Sequence, residues 1–396
     1  VFTRILPYLP IITLTIAHGA VDFYIGLLQV VAPGLAQYLN IPLGDIVFLI
    51  GVAALLNNIA QPTTGWIMGK RNMAWVLGLS VVTASLSTFM GYAGGIWPLA
   101  ALAILGAIGT GVYHPEAALS AHDEAGEESS MGIPIFMAGG AAISAIGTPL
   151  AIKWSEWFGF PALAWFALPG LFTGFLLYAQ YRNKRKAHPS IVLRPRSRRA
   201  SKPTEGRMSY WPLLLVAICF GVANGLFVAT LSSHYELRFG PTARVWAGWV
   251  LMGWGIAGSL ASFLWTAKST RRGFYFVSLC TQALAAPLFV LMAYPASPET
   301  GFFIALPLAI ISPGAVYPVA VAMARNAAGL TQSLRTSLVM GGTSGLSSIA
   351  VMIAGGMIRR GMSSSYLMLF AAFCSLVAVL LSLWQLAAAR AKKQNM

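Results

Sequence analysis

The chain has 396 residues, of which 57% are hydrophobic and only 9% charged. A soluble domain averages about 25% charged residues, so the composition excludes a soluble globular protein and points to an all-α, multi-pass membrane protein. The formal net charge of +15 would suit a nucleic-acid binder if the cations were clustered on one folded face, and they are not.

At ~20 apolar residues per span, twelve helices are expected, at 5–30, 44–68, 74–94, 97–120, 131–153, 160–181, 210–234, 244–267, 274–294, 301–324, 333–357 and 365–389. A β-barrel would need short alternating segments, and the chain has none. With the N-terminus in the cytoplasm, the inner segments hold Arg4, Lys70, Arg71, Lys268, Arg271, Arg272, Arg325, Arg390, Lys392 and Lys393, and a central stretch adds ten more cations. Outside lie Lys153, Arg238, Arg244, Arg359 and Arg360, with Arg335 at a helix start. This is the positive-inside distribution, which sets topology and excludes nucleic acid as the partner of the charge. Both termini are then cytoplasmic. No cleavable signal peptide is expected, since the first apolar run is as long as the others and lacks a cleavage pattern. Val1 in place of Met points to a trimmed or partial N-terminus.

The first helix carries His18 and Asp22, four residues apart and so on one face. At ~1.5 Å per residue, Asp22 lies well inside the bilayer. A membrane carboxylate is either a structural hydrogen-bonding group or a proton or substrate site. The second helix holds Asn57, Asn58 and Gln61 before Pro62, which either line a water-filled cavity or bond neighbouring helices. Gly65 to Gly69, Lys70 and Arg71 then cross into the cytoplasmic turn, where a gate would lie. The glycine spacing is not that of a phosphate-binding loop.

The fourth helix carries Tyr113, His114, Pro115 and Glu116 in succession inside an apolar run. Glu116 falls close to the cytoplasmic end, so it is either an interfacial residue or a member of a polar cluster with its neighbours. The acidic loop that follows (Asp123, Glu124, Glu127, Glu128, beside His122) has no specific metal-ligand spacing, and no metal site is expected. Cys219, Cys280 and Cys374 show no such spacing either, and read as apolar packing residues. The fifth helix contains Phe136, Gly139, Gly140, Gly147, Thr148 and Pro149. Small residues let helix backbones approach, and Gly139, Gly147 and Pro149 suit a surface that slides or rocks.

Residues 182–209, rich in Arg, Lys, Pro and Ser, form a basic cytoplasmic linker between helical halves at 1–181 and 210–396. The halves form a weak repeat. Gly111 and Pro115 recur as Gly314 and Pro318, and Met137 and Gly139 as Met340 and Gly342, all at an offset of 203. Asp22 corresponds to Asn224 at 202, and Tyr317-Pro318 matches His114-Pro115. Two six-helix pseudo-repeat halves place a site between them near mid-membrane. Candidate substrate contacts are Tyr113, Asn57, Asn58, Gln61, Phe136, Asn224 and Tyr317. The nucleophile elbow, the zinc motif and paired catalytic carboxylates are all missing, so an enzyme is not expected.

This pattern resembles the major facilitator superfamily. Over about the first 160 residues it is similar to the bacterial fosmidomycin resistance protein family. The residues that carry the likeness are Ala17-His18 with Asp22, Gln61-Pro62 with Gly65, Gly109-Thr110-Gly111 with His114-Pro115-Glu116, and Gly139-Gly140 with Gly147 and Pro149. The resemblance implies an inner-membrane exporter driven by the proton gradient, with a phosphonate antibiotic as the family's known type of substrate. It makes Asp22 and Glu116 the proton-coupling carboxylates and His18 and His114 their modulators. Two features depart from the pattern: Gly69 stands where the superfamily usually has an Asp that helps hold the cytoplasmic gate shut, and the fourth helix lacks the intramembrane Arg of many antiporters.

The reading is thus a proton-coupled secondary transporter working by alternating access, an efflux antiporter for a small organic or anionic drug-like compound. It needs no cofactor besides the proton gradient. Its partners are the substrate, protons and the bilayer, and one chain suffices. An uptake symporter for a carboxylate or phosphorylated metabolite, and a non-transporting receptor or scaffold, are the alternatives.

Overall fold

The computed structural model describes residues 9–68, 75–125, 132–187, 209–324, 327–328, 330, 335 and 338–394. Gly69, Lys70 and Arg71, the acidic residues Glu127 and Glu128, and most of the basic linker lie outside the described residues.

Twelve helical segments follow in order. They are α1 (Leu9–Leu39), α2 (Leu43–Met68), α3 (Val76–Tyr92, tightening to 3-10 from Leu86), α4 (Ile96–Ala125), α5 (Gly132–Phe158) and α6 (Ala167–Ala187, preceded by a 3-10 stretch Phe160–Phe166). Next come α7 (Tyr210–Phe239), α8 (Arg244–Arg272), α9 (Phe274–Ala293), α10 (Pro298–Ala324, broken at Ser312), α11 (Thr343–Arg359, preceded by a π turn Leu338–Gly342) and α12 (Ser365–Gln394). Ten of the described helices are long and apolar enough to cross a membrane, and Val76–Tyr92 is a shorter apolar one. The protein is an all-α membrane protein.

Helix α1 runs to Leu39, well past the end at 30 expected from the apolar run. Pro33 does not stop it. The stop is at Asn40, which takes the left-handed conformation (φ 53°). There Ile41 N–H reaches the Ala36 carbonyl at 2.9 Å and Asn40 N–H the Gln37 carbonyl at 3.3 Å. This paired closure satisfies carbonyls the helix end would otherwise leave open.

The chain divides into two compact units, one comprising 1–41 and 52–200, the other 42–51 and 201–396. In the first, α1 packs along α5, and α3 lies against α4 and α6. Glycines make these approaches possible. A Cβ on Gly139 would strike Thr15, on Gly140 the His18 ring, and on Gly147 the Phe23 ring, all across the α1–α5 seam. Gly78 and Gly174 back onto each other between α3 and α6.

In the second unit, α12 packs on α9 and α7, α7 on α11, and α8 on α10. Its core gathers Tyr210, Phe220, Phe274, Val316 and Val339. Residues 42–51 belong to this unit. Gly44 abuts the Gly355 and Arg359 backbone, and Asp45 pairs with Arg359 at 3.0 Å. The α8–α9 connection is the single residue Gly273, held at φ 86°, where a side chain would be strained.

Candidate functional site

The polar centre of the first unit is Asp22 on α1. His18 sits one helical turn before it, and its Nε2 lies 3.3 Å from Asp22 Oδ2. From α4, His114 presents Nε2 to Asp22 Oδ1 at 3.0 Å in hydrogen-bond geometry. Each ring is fixed from its other side. His18 Nδ1 lies 3.0 Å from the Phe136 carbonyl of α5, and His114 Nδ1 lies 2.8 Å from the Thr110 carbonyl one turn back on α4. A carbonyl only accepts, so both Nδ1 atoms carry hydrogens.

Packing holds this arrangement rigid. The His18 ring stacks on the Phe136 ring, with centroids 4.2 Å apart and planes 9° from parallel. Gly140 leaves the space the ring occupies. Tyr113 is fully buried and donates its hydroxyl to the Leu14 carbonyl at 2.9 Å, clamping α4 to α1 beside the site. His18 is sealed, at 3% exposed, while the Asp22 and His114 side chains remain 29% and 28% exposed. Access to the site is therefore through Asp22 and His114.

Among the described residues, this is the one group of three or more His, Cys, Asp or Glu side chains whose ligand atoms all lie within 4.8 Å of one another. A closed structural metal site needs four ligands, and here three converge. His114 Nε2 lies within hydrogen-bond distance of the carboxylate oxygen.

Glu116 does not join the group. It is half-buried and interacts electrostatically with Tyr181 of α6, and the charged side chains acting on Asp22 are the two histidines. The resemblance makes both Asp22 and Glu116 proton-coupling carboxylates, and of the two only Asp22 lies in this three-residue group. His18 precedes Asp22 by four residues and shares its face, whereas Glu116 lies two positions beyond His114, about 200° round the helix. Glu124 accepts a hydrogen bond from the Tyr181 hydroxyl at 3.2 Å.

The other candidates fall into separate places. Asn57 is half-buried on α2, and its buried Oδ1 has no hydrogen-bond partner among the described residues. Asn57 also packs beneath Gly111 of α4. Asn58 and Gln61 are half-buried on the same helix, and Gly65 lies near its end. Pro149 is buried within α5.

In the second unit, Asn224 of α7 accepts from Trp254 Nε1 at 3.1 Å and packs under Gly314. Tyr317 of α10 bonds the Thr343 hydroxyl at 2.7 Å and the Val339 carbonyl at 2.5 Å. The counterparts of His114 and Asp22, namely Tyr317 and Asn224, thus bind other partners, and the imidazole–carboxylate chemistry belongs to the first unit. Trp254 gave no signal as a partner of Asn224, and Thr110 and Gly140 stood out only within the family likeness. Thr110 carried a further usable signal, its spacing of four from His114.

A carboxylate held between two imidazoles within a bundle of membrane-spanning helices defines a transporter-like helical membrane protein with an internal polar site. The chain belongs to the Major Facilitator Superfamily, whose family model matches residues 14–312. Among solved structures, the chain is similar to a bacterial homolog of the human lysosomal transporter Spinster in an inward-facing and occupied conformation. That match has a TM-score of 0.73 and 14% identity, and covers 96% of both chains. It is also similar to the peptide transporter POT in complex with sulfate (TM-score 0.67, 14% identity, 96% and 94% covered). A POT mutant in complex with alafosfalin matches at TM-score 0.68 with the same identity and coverage. At such identities the likeness shows the fold. No curated protein matches the chain in sequence.

Proposed function

We propose that this superfamily member is a proton-coupled secondary transporter of a bacterial inner membrane, working by alternating access to export a small organic or anionic drug-like compound. The observation that carries the reading is Asp22. It is a carboxylate in a membrane-spanning helix, partly open, with an imidazole on each oxygen. An ionisable group in such a place is costly and is a functional site by default. The likeness of the His18–Asp22 and His114-Pro115 segments to the fosmidomycin resistance protein family supports export. The concentration of cations in the inner segments supports cytoplasmic termini.

Substrate arriving from the cytoplasm binds the form in which the site has given up its proton. A proton entering from the other side restores the His114–Asp22 hydrogen bond and expels the substrate. A ligand drives such a switch only through its different affinity for the two states. Asp22 is the coupling group and His18 and His114 set its protonation. Tyr113 and Phe136 act as packing partners of that group. Asn57, Asn58 and Gln61 of the first unit and Asn224 and Tyr317 of the second are the candidate substrate contacts. The glycine seam of Gly139, Gly140 and Gly147 is where α5 moves against α1. A single chain provides all these parts.

The test is purified protein in proteoliposomes with a pH-sensitive dye inside and an imposed pH gradient, screened against phosphonates, lipophilic drugs and organic acids. The reading expects proton movement opposite to one class of compound, abolished in Asp22→Asn. Proton movement in the same direction as the compound would convert the export reading to uptake. No coupled movement with any class would overturn the transporter's proton coupling.

A further inference from the structure

The hydrogen-bond arithmetic of the triad gives a proton count. Each neutral imidazole has one N–H, and for both His18 and His114 that hydrogen is on Nδ1, facing a backbone carbonyl at 3.0 and 2.8 Å. Both Nε2 atoms would then be lone pairs, and both face Asp22, at 3.3 and 3.0 Å. An ionised carboxylate is also acceptor-only. Two lone pairs against one anion repel, and the arrangement is attractive only with added protons. One proton between His114 Nε2 and Asp22 Oδ1 makes the observed hydrogen bond. It leaves the His18 lone pair against Oδ2, and a second proton there turns that contact into an ion pair.

We propose that His18, Asp22 and His114 form a single site that takes up two protons in each transport cycle, an inference that rests on the proton-coupled reading above. Without added protons the site carries a net charge of −1, with one proton it is neutral, and with two it is +1. The order of loading follows from access. Asp22 and His114 are partly exposed while His18 is sealed, with its Nε2 facing Asp22. The first proton settles on the His114–Asp22 contact, and the second reaches His18 by way of the carboxylate.

Among the described residues, the neighbouring elements present the following groups to the site. From α4 come His114 and Tyr113, whose hydroxyl is committed to Leu14. From α5 come the Phe136 carbonyl and ring, together with Gly140. Near α1, the α3 and α6 segments contribute Ser87, bonded to the Tyr24 carbonyl, and Gly170 and Gln180, bonded to Tyr24 and Thr13. Among the described residues, the charged groups acting on Asp22 are the two histidines.

The experiment is nuclear magnetic resonance of the full chain in lipid nanodiscs with 15N-labelled histidine. Ring nitrogens are followed across pH and assigned with His18→Gln and His114→Gln. The protonated carboxyl of Asp22 is followed in parallel by its infrared band. The proposal expects two protons lost from the two rings and the carboxyl together, in two steps that belong to the group and not to one residue. In Asp22→Asn the two rings should titrate independently of each other. If His18 remains a neutral Nδ1–H ring throughout while only the His114–Asp22 pair changes, the site holds one proton and the proposal fails, with the transport reading intact. Where a Gln variant folds poorly, His18→Asn or His114→Asn supplies the assignment, so the wild-type titration still decides.

Discussion

His114 Nε2 meets Asp22 Oδ1 at 3.0 Å although the two residues are 92 apart in the chain. This contact joins α4 to α1 inside the first unit and gives the membrane carboxylate a partner that can exchange a proton with it. Replacing His114 by Gln keeps a donor for Oδ1 and removes the titratable ring. The account expects His114→Gln to bind substrate but to show a flattened dependence of transport on pH, measured as initial uptake rates into vesicles across a pH series.

The seam between α1 and α5 makes a prediction about stability. A Cβ on Gly140 would overlap the His18 ring, whereas a Cβ on Gly26 of α1 meets nothing within 4 Å. Overpacking a close contact costs about 1–3 kcal/mol. Ala in place of Gly within a helix gains roughly 0.5–1 kcal/mol where space allows. Gly140→Ala should therefore lower the thermal midpoint in detergent and Gly26→Ala should hold or raise it. Equal midpoints for the two variants would contradict the packing described.

Tyr24 ties α1 to the start of α6. Its hydroxyl donates to the Phe166 carbonyl at 2.8 Å and accepts from Gly170 N–H at 2.9 Å. Tyr24→Phe leaves the buried Gly170 N–H without that acceptor, which costs about 1–3 kcal/mol. Thermal unfolding followed by intrinsic fluorescence should show the loss, with substrate affinity little changed because Tyr24 does not touch the triad.

The fold was legible in the sequence because a membrane imposes a coarse rule of ~20 apolar residues per span. Helix ends were less so. Nothing in the apolar run announced that α1 would continue through Pro33 to Asn40, since the closure depends on one left-handed residue. The site was legible in half. His18 and Asp22 stand at helical spacing, and His114 was suspect as a polar residue in an apolar run. That His114 meets Asp22 depends on how α4 sits against α1, which Tyr113 fixes through its bond to the Leu14 carbonyl. The carbonyls of Thr110 and Phe136 were invisible because every residue has one.

Where α7 gives way to α8 in the second unit, Glu236 of α7 and Arg244 of α8 form a largely buried ion pair through two guanidinium nitrogens. Removing one partner of such a pair leaves an uncompensated charge and costs about 3 kcal/mol or more. Glu236→Ala should reduce the yield of folded protein and its thermal midpoint, and Glu236→Ala with Arg244→Ala should recover part of the loss. A double variant no better than the single one would show that the charge pairing is not what the first change disrupted.

The central claim is that Asp22 couples protons to substrate movement, and it is tested most directly by comparing two modes of transport in the same vesicles. With substrate on both sides and no pH gradient, wild type and Asp22→Asn should both exchange labelled substrate, because exchange needs no net proton step. With an imposed pH gradient, wild type should accumulate substrate against its concentration and Asp22→Asn should not. Accumulation by Asp22→Asn that still follows the pH gradient would contradict the account and remove Asp22 from the coupling step.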